Sequence, residues 1–484
     1  MAKYDYDLCV IGGGAAGLTV ASGAAQLGAR TLLVEREPQL GGDCLHHGCV
    51  PSKTLIKTAK VRRLMQRAEE FGLPGVELGP VDFQKVRARI ASVVQGIQEH
   101  DSVERFCSLG AQVEFGPARF LDAHILEVGD RRFSAARFVV ATGSSPVLPP
   151  FPGMENVSAL TNLDIFSLEK LPSSLLVLGA GPIACELGQA FARLGSSVTL
   201  LQRSGQILSR EDADMAGIVE KALRAEGVDI RLGCAVGGVR TLPGGVAVEY
   251  DSGHGPQTAQ AEQLLVALGR SPNVAGLDLE NAGVEYDSKG ITVDERMRTS
   301  QKHIYAAGDV TGKHQFTHAA GYEGGIVVTN AILRLPRKVD YTWLPWCTYT
   351  EPELAGIGRT EKECRAAGLK CSVLVEPFAD NDRARAEGEI EGCIKLLLSD
   401  KGRPLGVQIA GPHAGDLAGE WIAALYGKIK LSSLAGAVHP YPTFAEINKR
   451  VAGKVFAEKI FSNRVRKILH FLFDYRGNAC NVPK

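Results

Sequence analysis

The chain has 484 residues, 45% of them hydrophobic and 22% charged, and its 54 basic residues match 54 acidic ones. This length predicts about three or four domains, and the neutral charge balance excludes nucleic acid as an expected partner. Because no apolar stretch is long enough to cross a bilayer and the first residues show no signal peptide, we expect a cytoplasmic protein.

The first predicted unit is a dinucleotide-binding fold at residues 6–37. An apolar strand leads into Gly12, Gly14 and Gly17, then an Ala-rich helix and a second strand that ends at Glu35. One glycine permits the tight turn, one lets a pyrophosphate approach the backbone, and one lets helix and strand pack closely, while the helix N-terminus attracts phosphate. Glu35 follows Gly12 by 23 residues, where a carboxylate can bind the hydroxyls of an adenosine ribose.

The next motif is GGDCLHHGCVPSK at residues 41–53, which contains Cys44 and Cys49. Together with His46 and His47, these cysteines could be proposed as four ligands of a metal ion. Against this, adjacent histidines point in different directions and no second cysteine pair stands nearby. The 11 cysteines of the chain are odd in number and scattered, which favours a redox pair over a structural disulfide framework.

The spacing of this cysteine pair constrains its geometry. Five helical steps rise about 7.5 Å, whereas the Cα atoms of a disulfide lie roughly 4.4 to 6.8 Å apart. A bond between Cys44 and Cys49 therefore requires a distorted first helical turn, and Gly48 makes that distortion easier.

A second dinucleotide-binding fold repeats the order of the first at residues 173–204. Gly179, Gly181 and Ala184 take the glycine positions, but Gln202 stands where an acid is expected, and Arg203 follows it. Without the carboxylate a 2′-phosphate meets no repulsion, and an arginine can pair with it. The pattern favours NADPH over NADH, although arginine is also a common surface residue at a strand end.

Two shorter fragments, at residues 137–149 and 303–312, are each an apolar strand that ends in a turn of small residues. Asp309 stands at the carboxyl end of the second strand, where ligands of such sheets bind. The following stretch, from residue 315, is predicted to be a helix whose N-terminus can direct its positive end at an electron-accepting ring.

Six motifs in one order carry a family resemblance: the glycines with Glu35, the two-cysteine stretch, ATG at 141–143, the second dinucleotide fold, LVALGRSPN at 265–273 and AAGD at 306–309. This order resembles the FAD-dependent pyridine nucleotide-disulfide oxidoreductases, over about residues 5–455. The resemblance implies an α/β fold like that of glutathione reductase, with two Rossmann-like domains and a C-terminal α+β dimerisation domain. It also implies FAD, NADPH or NADH, and a homodimer whose active sites are shared between subunits.

The resemblance divides the chain into an FAD-binding domain at 1–150 and 276–345, an NAD(P)H-binding domain at 151–275, and an interface domain at 346–484. It implies that Cys49 faces the flavin as the charge-transfer thiolate and that Cys44 exchanges with the acceptor. Lys53 would approach the flavin N5 and pair with Glu186. The lysine cation would favour the anionic reduced ring. The other cofactor-binding residues that we expect are Gly42, Thr142, Gly143 and Gly269.

The segment AVHPYPTFAEINKR, residues 437–450, departs from the pattern of disulfide reductases. That pattern has a histidine before Pro-Thr and a glutamate after it, and the pair manages protons. Here Tyr441 takes the histidine position and Glu446 keeps the acid position, while His439 is the alternative base. Tyrosine, with a pKa of about 10, is a poor base at neutral pH, and mercuric reductase and the soluble transhydrogenase resemble this arrangement.

The leading prediction is therefore an enzyme that passes electrons from NAD(P)H through flavin and the Cys44–Cys49 disulfide to a thiophilic acceptor, with mercuric-reductase-like reduction of a metal ion as the first choice. Thiolates that bind a soft metal ion need no proton manager. The alternatives are a small disulfide reductase or dihydrolipoamide dehydrogenase, and then a transhydrogenase or a redox-sensing flavoprotein without turnover. No resident metal site is expected.

Three further departures qualify the resemblance. Asp43 stands where relatives usually have threonine, and its carboxylate opposes formation of the Cys44 thiolate, whereas protonated His46 and His47 favour it. Mercuric reductase ends in a vicinal cysteine pair, and Cys480 stands alone here. Residues 455–476 form a helical pattern that we expect to pack on the dimer, in preference to a peripheral membrane contact.

Overall fold

The computed structural model describes residues 3–475 and 477, except the side chains of residues 458 and 459. Cys480 lies outside the described residues. The chain divides into two compact units, one formed by Met1–Leu208 with Leu223–Tyr341 and the other by Ser209–Ala222 with Thr342–Lys484.

The elements fall along the chain as follows. Residues 3–150 contain strands β1 (Leu8–Ile11), β2 (Thr31–Glu35), β3 (Ala111–Phe115), β4 (Ala118–Phe120), β5 (Ile125–Val128), β6 (Arg131–Ser134), β7 (Phe138–Val140) and β8 (Ser144–Pro146), and helices α1 (Ala15–Gln26), α2 (Gly42–His46), α3 (Cys49–Gln66), α4 (Phe83–Gln98) and α5 (Val103–Ser108). Residues 151–275 contain β9 (Ser174–Leu178), β10 (Ser197–Leu201), β11 (Asp229–Arg231), β12 (Ala235–Leu242), β13 (Gly245–Asp251), β14 (Pro256–Ala261), β15 (Gln263–Val266) and β16 (Arg270–Pro272), with α6 (Pro182–Leu194) and α7 (Ala213–Ala225).

The remaining elements belong to the second half of the chain. They are β17 (Tyr286–Asp287), β18 (Gly290–Ile291), β19 (Ile304–Ala306), α8 (Thr317–Ala331), β20 (Pro345–Thr348), β21 (Glu353–Gly358), α9 (Glu361–Ala366), β22 (Cys371–Pro377), α10 (Asp382–Glu387), β23 (Cys393–Ser399), β24 (Pro404–Gly411), α11 (Ala414–Tyr426), α12 (Leu431–Gly436), α13 (Glu446–Ile460) and α14 (Asn463–Phe473).

Two parallel sheets form the framework of the first unit. One has the strand order β19-β7-β1-β2-β3, and the other has the order β11-β10-β9-β15. In both sheets the neighbouring strands are parallel. Strands β1, β2, β7 and β19 are buried along their whole length, as expected where both faces of a parallel sheet are covered.

The two parallel sheets bring the predicted motifs to strand ends. Gly12 follows β1 and Gly179 follows β9, each at a positive φ, and each glycine leads into a helix, α1 or α6. The first core cluster surrounds β1, β2, β7 and β19. Both dinucleotide folds predicted at residues 6–37 and 173–204 therefore have the strand, turn, helix and strand that the sequence indicates.

The second unit contains an antiparallel sheet of order β20-β21-β24-β23-β22. In its core this sheet packs against helices α11 and α13 through residues such as Ile409, Trp421 and Val451, each at most 1% exposed. Sheet and helices together form an α+β layer structure.

Candidate redox site

The two redox cysteines lie on either side of a helix break. Cys44 is in α2 and Cys49 begins α3, with Gly48 as its N-cap. A Cβ atom on Gly48 would lie 2.9 Å from Asp43 O and 3.1 Å from Cys44 Cα, so the chain turns here at a residue that has no room for a side chain. The distortion predicted at Gly48 is therefore a full interruption between two helices.

Both cysteines are free thiols, Cys49 exposed and Cys44 half-buried. The hydrogen bond between the two thiols lowers the pKa of Cys49 to about 6, with further lowering by Thr317 and by the Lys53 cation. The same hydrogen bond and burial raise the pKa of Cys44. The pair thus holds one thiolate at Cys49 and one proton at Cys44 near neutral pH.

Helix α8 supplies a contact that the sequence did not identify. Its first residue is Thr317, whose Oγ1 atom lies 3.5 Å from Cys49 Sγ. The positive end of the helix dipole therefore lies at this thiol, where it favours the anion. The sequence predicted such a helix N-terminus, directed at an electron-accepting ring, and it did not identify the contact with Cys49.

Lys53 and Glu186 meet as the resemblance implies. Lys53 Nζ lies 2.8 Å from Glu186 Oε2, and Glu186 is 5% exposed. Helix α3 supplies the lysine and helix α6 supplies the glutamate, so the ion pair joins the redox helix to the helix of the second dinucleotide fold.

The first glycine cluster fits a dinucleotide such as FAD. A Cβ atom on Gly17 would lie 1.8 Å from Gly12 O, and one on Gly42 would lie 2.7 Å from Gly14 Cα. Gly14 is the N-cap of α1 and provides no side-chain cap, so the first N–H groups of α1 suit a phosphate. Glu35 Oε2 accepts the Gly13 N–H at 2.6 Å, which holds the carboxylate beside this loop.

The remaining residues expected to bind FAD lie at the ends of β7 and β19. Thr142 Oγ1 donates to Asn273 O at 2.7 Å, and Gly143 has a φ of +68°. Asp309 accepts a hydrogen bond from Ser144 Oγ at 2.6 Å. Burial raises the pKa of Asp309, although the Ser144 hydrogen bond and the Arg270 cation act in the opposite direction.

The second glycine cluster also leads into a helix N-terminus without a side-chain cap. Gly181 is the N-cap of α6 without a side-chain cap, and a Cβ atom there would meet nothing within 4 Å. Gln202 Nε2 donates to Ser204 Oγ at 2.7 Å, while Arg203 is exposed. Gly269 has a φ of +124°, which only glycine adopts easily.

The C-terminal residues lie in the second unit. Tyr441 is 70% exposed, and its hydroxyl donates to Asp382 Oδ2 at 2.9 Å. This hydrogen bond to Asp382 raises the pKa of Tyr441, so even less of the phenolate that could accept a proton is present at neutral pH. Glu446 begins α13, and its Oε2 atom is buried without a hydrogen-bond partner among the described residues.

His439, the alternative base, is engaged within its own subunit. Its Nε2 atom lies 2.8 Å from Glu420 Oε1, and its Nδ1 atom lies 3.3 Å from Ala437 O. The side chain is 9% exposed. Because both ring nitrogens have partners and the ring is largely covered, this geometry does not favour His439 as a proton manager for an acceptor.

In the part that the structure describes, no group of three or more His, Cys, Asp or Glu side chains is arranged to hold a metal ion. The described helices include none that is both long and apolar enough to cross a membrane.

Comparison with known proteins places the chain in a family. Residues 6–324 match the family described as pyridine nucleotide-disulphide oxidoreductase, and residues 344–452 match its dimerisation domain. The chain belongs to this family, as the sequence motifs predicted. It is therefore a flavin-dependent oxidoreductase that uses FAD and NAD(P)H, and the dimerisation domain indicates a homodimer.

Relatives of two activities are similarly close. The chain is 34% identical to a mercuric reductase of Staphylococcus aureus over 91% of this chain and 81% of that protein, and 36% identical to one of Lysinibacillus sphaericus over the same shares. It is 34% identical to a dihydrolipoyl dehydrogenase of Bacillus subtilis over 91% of this chain and 96% of that protein.

A solved structure confirms the predicted fold class. The Cu(II) complex of RclA, an HOCl-induced flavoprotein disulfide reductase from Escherichia coli, matches with a TM-score of 0.83 and 28% sequence identity. The match covers 94% of this chain and 100% of that one.

Proposed function

We propose that the protein is an NADPH-dependent reductase of a thiophilic metal ion, with Hg(II) as the leading acceptor. The observation that carries this proposal is Tyr441, an exposed phenol with a raised pKa, at the position where disulfide reductases hold a base. The mercuric reductases among the relatives support it. A cytoplasmic location and the division into FAD-binding, NAD(P)H-binding and interface domains are part of the same proposal.

FAD, held by the first glycine cluster and Glu35, would supply a two-electron carrier between the nicotinamide and the cysteine pair. The contribution of Cys44 and Cys49 is to bind the soft ion as thiolates. Their return to the disulfide releases two electrons, which reduce Hg(II) to Hg(0). Cys49 is already a thiolate near neutral pH, and the soft ion displaces the remaining Cys44 proton to solvent water as the second metal–sulfur bond forms, so no dedicated basic side chain is required at the acceptor.

Lys53 has two parts in this scheme. It contributes to the low pKa of Cys49, and its ion pair with Glu186 fixes the position of its charge. Arg203, exposed shortly after the end of β10, is the residue that would bind the 2′-phosphate of NADPH.

A second candidate is reduction of a small disulfide or oxidation of dihydrolipoamide, which the similarity to dihydrolipoyl dehydrogenases favours. The test is anaerobic NADPH oxidation by the FAD-loaded protein with thiol-buffered Hg(II), compared with lipoamide and glutathione disulfide at equal concentration. Cu(II), bound in the RclA structure, is a further acceptor to include.

The expected result is turnover with Hg(II) that Cys44→Ser abolishes and that Cys107→Ser, at another exposed cysteine, leaves unchanged. Disulfide turnover without metal turnover would replace the proposal by the second candidate. Hydride exchange between nicotinamides that survives both Cys44→Ser and Cys49→Ser would indicate a transhydrogenase, and flavin reduction without turnover of any acceptor would indicate a redox sensor.

A further inference from the structure

Helix α14 carries an apolar face that the described chain leaves largely uncovered. None of its residues is buried. Four apolar side chains repeat at the spacing of one helix face: Val465, Ile468, Leu469 and Leu472. Ile468 is 48% exposed and Leu472 59% exposed, while Val465 and Leu469 are partly covered.

Aromatic side chains extend this apolar surface at the C-terminal end of the helix. Phe471 is 87% exposed, Phe473 59% and Tyr475 63%. Phe461, just before the helix, is 68% exposed. Such a concentration of exposed aromatic and aliphatic groups marks an interaction surface.

The remaining surface of α14 is basic. It contains Arg464, Arg466 and Lys467, and α14 has no acidic residue, although the whole chain has no net formal charge. Ser462 caps the helix by accepting the Val465 N–H at 3.4 Å. An apolar face beside a cationic face is the pattern of a helix that lies in a lipid headgroup layer.

We propose that α14 binds the protein to an anionic membrane surface. The cations complement the lipid charge, and the apolar face enters the boundary between headgroups and acyl chains. Pairing of α14 with its equivalent in a second copy fits less well, because it would bring two sets of three cations together without an acid in either helix. The segment also lies beyond residues 344–452, which match the dimerisation domain.

A homodimer carries two such helices, and where both reach one bilayer the second attachment occurs at a high effective concentration. This inference does not depend on the identity of the electron acceptor. The sequence favoured packing of residues 455–476 on the dimer, whereas the exposed apolar face of α14 favours a membrane contact.

The experiment is flotation of the full-length, FAD-loaded protein with vesicles of phosphatidylcholine alone or with about one third phosphatidylglycerol, at low and high salt. We expect binding to the anionic vesicles only, with release at high salt. Replacement of Arg464, Arg466 and Lys467 by Gln should weaken binding on the order of a hundredfold. The matched control replaces three exposed lysines elsewhere, Lys302, Lys370 and Lys401, by Gln and should retain binding.

Three results would overturn the proposal. The first is equal flotation of the cation variant and its control, and the second is no flotation at all. The third is dissociation of the dimer in analytical ultracentrifugation when Ile468→Glu and Leu472→Glu are combined, since that would make the face part of the subunit interface. Retained flavin absorbance and helical circular dichroism in each variant would show that the fold is intact.

Discussion

Asp43, the residue directly before Cys44, forms an ion pair with Arg270, its Oδ2 atom 3.2 Å from Arg270 Nη2. Asp43 Oδ1 also accepts from Asn162 Nδ2 at 3.0 Å, and the same amide nitrogen donates to His47 O at 3.1 Å. Arg270 in turn donates to Ser144 Oγ and Ser144 O, each at 2.7 Å. The carboxylate that should oppose the Cys44 thiolate is therefore neutralised, and it anchors the redox segment instead.

This arrangement predicts the effect of removing the charge of Asp43. In a Cys49→Ser background, which isolates the second thiol, Asp43→Asn should speed alkylation of Cys44 by iodoacetamide at pH 7 about threefold to tenfold. The substitution leaves the Arg270 cation without its counter-charge, which favours the thiolate, and the asparagine oxygen can still accept from Asn162. Asp130→Asn, at an exposed carboxylate elsewhere, should leave the rate unchanged. A slower reaction would mean that losing the ion pair with Arg270, which holds the redox segment in place, affects Cys44 more than the change in charge does.

A second prediction concerns the Cys49 thiolate. Because the hydrogen bond from Cys44, together with Thr317 and Lys53, lowers the pKa of Cys49 to about 6, thiolate absorbance of the reduced protein near 240 nm should appear with a midpoint near that pH. Lys53→Met should raise the midpoint by about one unit. Lys57→Met, which removes an exposed lysine of the same helix, should not. A midpoint near 8.5 in the parent protein would contradict this electrostatic account.

Part of this site follows from the sequence alone. The glycine turns, the break at Gly48 and the partners Lys53 and Glu186 come from local spacing or from motifs with fixed order. The contacts of Asp43 with Arg270 and of Cys49 with Thr317 join residues more than two hundred positions apart. No periodicity encodes such a pairing, since it depends on how strand ends and helix ends converge in the folded unit.

The same limit applies to the C-terminal segment. The sequence left Tyr441 and His439 as alternative bases, because their order along the chain does not show which side chain is covered. The pairing of His439 with Glu420 depends on the approach of α11 to the loop after α12, which is a matter of packing. Asn448 Nδ2 also donates to Glu420 Oε2 at 2.8 Å, so this carboxylate is held on both oxygens.

A third prediction is a pH dependence of stability from Glu211. This carboxyl group is buried and accepts from Trp346 Nε1 at 2.8 Å and from Gln408 Nε2 at 3.0 Å. Burial raises its pKa from 4.5 to about 7, so the folded state binds a proton more tightly than the unfolded state. Its contribution to stability is therefore fully present below about pH 4.5 and is lost as the pH rises through 7.

The test is the free energy of unfolding of Glu211→Gln at pH 5 and pH 8. The free energy of unfolding of the variant should exceed that of the parent by about 1 to 3 kcal/mol at pH 8 and by little at pH 5. The upper limit follows from about 1.36 kcal/mol for each unit by which the pKa is raised. The Gln408 Oε1 atom is buried without a partner among the described residues, so the new amide has an acceptor if Gln408 rotates. Glu391→Gln, an exposed control, should show no such difference.

A fourth prediction concerns the nicotinamide cofactor. If Arg203 binds the 2′-phosphate, Arg203→Glu should lower kcat/KM for NADPH about tenfold to a hundredfold, since a charged hydrogen bond contributes about 1.5 to 3 kcal/mol. Gln202→Glu should restore a carboxylate for the ribose and raise kcat/KM for NADH. Lys170→Glu, at another exposed cation of this region, serves as the control for charge alone. Equal use of both nucleotides by the parent protein would remove Arg203 from this role.

The fifth prediction tests Tyr441 against the two candidate acceptors. Tyr441→Phe should lower Hg(II)-dependent NADPH oxidation about tenfold, because the hydroxyl that Asp382 holds is lost as a ligand or proton donor, while flavin reduction by NADPH stays unchanged. Tyr441→His supplies a base with a pKa near about 6.5 at the position usual for disulfide reductases, so turnover of lipoamide or glutathione disulfide should rise. If Tyr441→Phe retains full metal turnover while Asp382→Asn also has no effect, the acceptor site does not use this tyrosine. Only the cysteine pair and the similarity to mercuric reductases would then support a metal-ion reductase.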